Sequence, residues 1–355
     1  MSRWSGPGPR GAQPGEALRP LLGLARNLGE FLLRRHPPGA APYRLWVDLT
    51  SRCNLACPAC PQRLLLPDQR RDMDETLLES LAGQAGVWGA QVSLFHRGEP
   101  LLHPRFAHWI ARFRREGARV RLHTNATLLN RERAEALVEA APDLLTLSLD
   151  TLEPAEYARA RPGADLARTM AGVELLLGLR ARRGGGPGVV SALLMGRQEY
   201  GQAQRETLAR LRGLGLDRVV WRAPHNWGGT VAGAGRPGAG LRRPAVCTFP
   251  WYGLAVLSDG RVSPCPQDFL GTIDLGSAAE RPLAEIWRGP ELGRLRRTLA
   301  ARALEGLGVC QACDRIRRPT ILGLPGEHLK NILAESIVRS RGQGQGSMAA
   351  PLGNK

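Results

Sequence analysis

The chain has 355 residues, 49 basic against 32 acidic side chains and a formal net charge of +17, enough for one large domain or two ordinary ones. Only two of the 49 basic residues are lysines, Lys330 and Lys355. With 43 glycines and 27 prolines beside them, this arginine excess reads as compositional bias and solvated surface, not as a nucleic-acid face. No apolar window is long enough for a transmembrane helix, and "MSRWSGPGPRGAQPGE" lacks a secretory h-region. The expected compartment is therefore the cytoplasm, where seven cysteines point to metal or redox chemistry and away from disulfides.

In chain order, residues 1–42 form a Gly/Pro-rich tail and a basic amphipathic helix, "EALRPLLGLARNLGEFLLRR" (16–35), whose leucines are expected to cover a domain. From Tyr43 onward short apolar runs alternate with helical segments. Strands are predicted at 44–49, 90–95, 119–124, 144–149, 189–194 and 218–222. Helices are predicted at 75–86, 105–116, 131–141, 165–182 and 200–214. That alternation implies parallel βαβ units over 43–225, an α/β partial (β/α)6 barrel like part of a TIM barrel, with its chemistry at the carboxyl ends of the strands. The glycine-rich stretch 226–244 reads as a linker. A smaller unit (245–320) follows, with a hairpin through Asp259-Gly260 and a helical run broken at Pro290. Residues 321–355 hold a last helix, 326–340, and a polar tail.

Three of the seven cysteines crowd the loop after the first strand, Cys53, Cys57 and Cys60 in "TSRCNLACPACP". Tetrahedral zinc wants four ligands, and this neighbourhood offers no fourth. Three thiolates suit three irons of a 4Fe–4S cluster and leave one iron open to a substrate. The other four are Cys247, Cys265 and the pair in "CQAC", Cys310 and Cys313. Four thiolates suit a zinc ion or a second cluster, and spacing alone does not separate the two.

The Cys-x3-Cys-x2-Cys loop after the first strand resembles the radical S-adenosylmethionine (radical SAM) superfamily. The residue before the third cysteine, commonly aromatic in that family, is Ala59 here. "HRGEPLLHP" (96–104) resembles the family's Gly-Gly-Glu-Pro segment, with Arg97 in place of the first glycine. This implies that Gly98, Glu99 and Pro100 hold the methionine ammonium. "HTNATLL" (123–129) resembles the segment ending strand three, implicating Asn125. "SLDTLEPAEYARARPG" (148–163) resembles the stretch after strand four, which implies ribose contacts from Ser148 and Asp150 and a carboxylate contact from Arg161. The stretch "CTFPWYGLAVLSDGRVSPCPQD", then "PLAEIWRGPELGRLRR", then "CQAC" is similar to the SPASM auxiliary-cluster domain in its four-cysteine "twitch" form, which favours iron over zinc.

The resemblance implies reductive cleavage of SAM to a 5′-deoxyadenosyl radical, hydrogen abstraction, and a second 4Fe–4S cluster held by four thiolates that accepts an electron. The expected outcome is a two-electron oxidation. The cysteine spacing is most similar to the twitch-bearing dehydrogenases of aminoglycoside cyclitols, and with only about 42 residues ahead of the barrel a small polar substrate is favoured over a peptide. Arg222, His225 and Asp268 are the candidate substrate-side residues, for orienting an anion or hydroxyl and for taking a proton. The expected electron donor is a reductase such as flavodoxin or ferredoxin. A peptide-modifying maturase is the alternative. A non-catalytic iron–sulfur carrier or nucleic-acid binder is disfavoured by the methionine-binding segments.

Overall fold

The structure, a computed structural model, describes residues 14–196, 201–231, 244–318, 320–321 and 324–325. Six strands, β1 (Arg44–Val47), β2 (Gln91–Ser93), β3 (Arg119–Thr124), β4 (Leu144–Asp150), β5 (Val189–Met195) and β6 (Arg218–Arg222), lie side by side in sequence order, and each pairs in parallel with the next. Residues such as Leu45, Val92, Leu122, Leu147 and Ala192 are fully buried, as parallel strands covered on both faces require. The crossover helices are α2 (Glu75–Trp88), α3 (Phe106–Arg115), α4 (Arg131–Ala140), α6 (Leu166–Arg183) and α7 (Gln202–Gly213). Their starts follow the sequence: Asp74, Asn130 and Asp165 cap first turns by accepting from backbone N–H groups, Asp74 from Thr76 and Leu77 at 2.8 and 3.1 Å. A short helix between β4 and α6, α5 (Pro154–Ala160), escaped the periodicity reading. Its signal was proline at the first helical position.

Strands β1 and β2 end earlier than expected, at Val47 and Ser93. Asp48 still donates its amide to the Val256 carbonyl at 2.9 Å, and its side chain accepts from Arg97. On the other side of β1 the predicted hairpin does not stand apart. Its first strand, β7 (Gly253–Val256), pairs in parallel with β1, and β8 (Val262–Ser263) returns antiparallel, so one eight-stranded sheet runs β6-β5-β4-β3-β2-β1-β7-β8. The following helices, α8 (Leu283–Arg288) and α9 (Pro290–Ala300), break at Gly289-Pro290 as expected, and α10 (Gly308–Ala312) carries Cys310.

The amino-terminal helix, α1 (Pro14–Leu32), covers this junction. Phe31 packs edge-on against Trp251 at 5.5 Å, and the Asn27 side chain bridges the Ala41 carbonyl and the Tyr43 amide. Leu22, Leu32 and Leu33 face solvent. Among the described residues no helix is long and apolar enough to cross a membrane. Residues 226–231 of the expected linker are packed in place by Asn226, discussed below; 232–243 and the helix expected at 326–340 lie outside the described residues.

Candidate active site

The three-thiol loop leaves β1 at the carboxyl end of the sheet. Cys53, Cys57 and Cys60 are free and half-buried, and the Cys60 amide bonds the Cys57 carbonyl at 3.0 Å. Burial pushes the Cys53 thiol up to about 11 and Cys60 up to about 12, with the neighbouring thiols adding to both and Arg161 pulling down. Burial raises Cys57 as well. Thiols that sense one another and one shared cation suit ligands around a common centre.

The segment after β2 is clamped onto this loop. A Cβ on Gly98 would lie 2.3 Å from the Thr50 carbonyl and 2.4 Å from that of Arg52, so only glycine permits the approach. The Glu99 amide then bonds the Arg52 carbonyl at 2.8 Å, and Pro100 opens a short 3-10 turn. The buried Glu99 carboxylate accepts from the Leu101 amide (3.1 Å) and Thr124 hydroxyl (2.7 Å) at Oε1, and from the Asn125 amide (2.7 Å) at Oε2. Burial raises its pKa against the pull of these donors. Three donors leave one lone pair for a ligand. The Asn125 side chain donates to Asn54 Oδ1 at 3.0 Å, and Asn54 donates to Thr127 at 2.9 Å. Asn54, next to Cys53, thus ties the thiol loop to the end of β3. Sequence reasoning passed it over, although its place inside the cysteine spacing was a signal.

Beneath the loop lies a second missed group. Arg97, which stands where the resembled motif has glycine, is buried against Asp48, with Nε to Oδ2 at 2.7 Å and its backbone amide to Oδ1 at 3.0 Å. Its Nη2 donates to Ser258 Oγ (3.0 Å), and Ser258 donates from its amide to Asp48 (3.2 Å) and from its hydroxyl to Ser51 (3.1 Å). Ser258 belongs to the β7–β8 hairpin, so this ion pair joins both halves of the sheet under the thiols.

At the end of β4 the pairing with β5 slips between Ser148 and Asp150, and Asp150 takes a positive φ of 63°. Asp150 pairs with Arg161 at 2.9 Å, both largely buried. The guanidinium acts electrostatically on all three thiols and on Glu99. Ser148, Asp150, Arg161, Glu99, Asn125 and the three-thiol loop therefore gather at one end of the sheet.

The remaining four cysteines come together from three separate segments. Cys247, Cys265, Cys310 and Cys313 line one cavity with Phe249 and Arg315. Burial, reinforced by the other thiols, raises Cys265 well above the usual range and lifts Cys310 to about 12.

A family model for the radical SAM superfamily matches residues 47–211, and one for the SPASM iron–sulfur cluster-binding domain matches 247–314. The chain belongs to the radical SAM superfamily. It is 29% identical over 292 residues to a PqqA peptide cyclase of Streptomyces rochei, covering 71% of this chain and 77% of the relative. It is 32% identical over 114 residues to the tungsten-containing aldehyde ferredoxin oxidoreductase cofactor-modifying protein of Pyrococcus furiosus, covering 32% of each. Among solved structures it is similar to BtrN in complex with AdoMet and 2-DOIA (TM-score 0.54, 18% identity, 77% of this chain and 93% of that one). It is also similar to Streptococcus suis SuiB bound to precursor peptide SuiA (TM-score 0.54, 17% identity, 83% of this chain and 74% of that one). At these identities the structural likeness is one of fold.

Radical SAM and SPASM domains imply 4Fe–4S clusters and S-adenosylmethionine as cofactors, and the residues present fit them. The three-thiol loop has no fourth thiol, and the second set has four around one cavity. A cubane's thiolates bind separate irons and surround a body rather than a point, in contrast to tetrahedral zinc.

The substrate-side expectations fare unevenly in the radical SAM barrel. Asp268 is tied into its own loop. Its buried carboxylate accepts from Ser263 Oγ (3.0 Å), the Thr272 amide and hydroxyl (2.8 Å each) and the Ile273 amide (2.9 Å). These bonds brace the loop after Cys265. Arg222 ends β6 and is half-buried. Both ring nitrogens of His225 are sealed without a partner. Burial, then Arg315, Arg222 and Arg318, holds its pKa well below the ordinary value, so the imidazole is neutral. A row of rings missed by the sequence reading continues from it: His225 to Trp227 at 4.3 Å, Trp227 to Phe269 at 5.3 Å and Phe269 to His96 at 5.4 Å.

Proposed function

We propose that this chain is a radical oxidase that removes two electrons from a peptide substrate. In this reading Cys53, Cys57 and Cys60 hold the cluster that binds SAM, and Cys247, Cys265, Cys310 and Cys313 hold the auxiliary cluster. The observation that carries it is the four-thiol cavity beside the strand ends, because a cluster ligated by four thiolates has no iron left for substrate and is suited to take an electron. Bound SAM, reduced by one electron, supplies a 5′-deoxyadenosyl radical that takes a hydrogen atom from a substrate carbon. The cluster held by the four thiolates would supply a one-electron acceptor, so that loss of a hydrogen atom, an electron and a proton would leave a product short of two hydrogens, with a new double bond or a new bond between side chains.

The protein's own residues bind and orient. Glu99 offers its remaining lone pair to the ammonium, Asn125 and Ser148 meet the nucleoside, and Arg161, fixed by Asp150, faces the carboxylate. In this reading Arg222 orients a carbonyl or carboxylate, and the departing proton passes to solvent. A small one-electron reductase of the flavodoxin or ferredoxin kind reduces the first cluster. The peptide cyclase relative, aligned over 71% of this chain, favours a peptide. A small polar molecule is the second reading, favoured by the single four-thiol site, which matches the twitch form of the domain.

The experiment is anaerobic reconstitution followed by SAM and dithionite. Two clusters require about eight irons per chain, and substituting Cys53, Cys57 and Cys60 with alanine should halve the iron and abolish 5′-deoxyadenosine. Candidate peptides and polyols are then screened for a mass loss of two hydrogens. Zinc in place of iron at the second site would overturn the assignment, and product from polyols alone would select the second reading.

A further inference from the structure

Residues 226–229 touch the segments that carry both thiol sets. Asn226 is locked to the auxiliary side: its Nδ2 donates to the Ala312 carbonyl at 2.8 Å, and its Oδ1 accepts from the Asp314 amide at 3.2 Å. Gly228 and Gly229 press against α10, where added Cβ atoms would lie 2.4 Å from Val309 Cγ1 and 2.5 Å from Ala312 Cβ. From this anchorage Trp227 reaches the other way. Its indole Nε1 donates to the Ala59 carbonyl at 3.0 Å, between Cys57 and Cys60. To do so it adopts a φ of 50°, followed by 63° and 90° at the two glycines. A bulky residue in the left-handed region is uncommon and persists only where its surroundings enforce it. The ring also stands edge-on to Phe269, on the loop after Cys265.

We propose that Trp227 is a positioning residue that sets the spacing between the SAM-cluster loop and the auxiliary-cluster segment, and thereby commits the substrate radical's electron to the auxiliary cluster. The second clause rests on the function proposed above; the first does not. Ala59 provides only a backbone carbonyl at this point, so the strap depends on the indole N–H.

The test uses the reconstituted full chain and two variants. Trp227→Phe keeps a ring and removes the N–H. Gly229→Ala disturbs the opposite anchorage. Hydrogen–deuterium exchange of the segment containing the Ala59 and Cys60 amides should rise roughly two- to tenfold in Trp227→Phe, the size of one net hydrogen bond. In both variants the ratio of 5′-deoxyadenosine to oxidised product should rise severalfold, while the iron content stays at that of the parent. Unchanged exchange in Trp227→Phe overturns the strap. Raised exchange with an unchanged ratio in both variants overturns the commitment of the electron. If the parent protein itself cleaves no SAM, the function proposed above fails, and the exchange result still decides the strap.

Discussion

Arg97 shows how one residue can tie a fold together where a motif comparison sees only a departure. Its pair with Asp48 is sealed from solvent, and removing one partner of such a pair leaves a buried, uncompensated charge. Arg97→Gly, which restores the residue of the resembled motif, should therefore cost about 3–5 kcal/mol in urea unfolding; a neutral result would mean that water reaches Asp48. His96 carries a second residue-scale expectation. Burial lowers its pKa from 6.5 to about 4, so between those values the unfolded chain binds more protons than the folded one. Its contribution is fully present above about pH 6.5 and lost as the pH falls toward 4, on the order of 2–3 kcal/mol. His96→Asn should flatten that part of the stability–pH profile. An identical slope in the variant would assign the acid sensitivity to other groups.

At the scale of elements, the site depends on the end of β2 lying flat on the thiol loop after β1. Both atoms that a Cβ at position 98 would strike are backbone carbonyl oxygens, at 2.3 and 2.4 Å, and neither can swing aside as a side chain would. Gly98→Ala should displace the thiol loop, lowering the iron bound there and slowing 5′-deoxyadenosine formation at least tenfold, with a stability loss of about 1–3 kcal/mol. Iron and sulfide analysis separates the two sites, because the auxiliary cluster should load normally. Loss of the auxiliary cluster instead would show that strain passes through the Asp48–Arg97–Ser258 group.

For the molecule as a whole, the β1–β7 pairing joins what the composition divides. The break at 226–244 suggests two domains, yet β7 continues the barrel's sheet, Ser258 completes its buried ion pair and α1 lies across the junction. A chain ending at residue 231 would leave the outer edge of β1 unpaired and strip apolar cover from it, a recipe for edge-to-edge association. We expect such a truncation to aggregate, and the full chain to unfold in one transition. A monodisperse, folded truncation by size-exclusion chromatography and circular dichroism would establish the barrel as independent.

Much of this was legible from local pattern, because strand and helix periodicity, helix caps and the spacing of the first three cysteines are short-range properties. All six barrel strands, five crossover helices, the Asp259-Gly260 hairpin and the break at Pro290 are of this kind, and so is the chemistry that three thiols on one loop can perform. What tertiary structure decided are relations between distant residues. Cys247, Cys265 and the Cys310–Cys313 pair meet in one cavity although three separate segments carry them. Asp268, a candidate base by its place near Cys265, also braces the loop that follows through Thr272 and Ile273. Glu99 shares its carboxylate with Thr124 and Asn125, and Trp227, unremarked within a glycine-rich stretch, spans the two thiol sets. Hydrogen-bond saturation and burial depend on what the fold brings alongside a residue, and the local pattern carries no record of that.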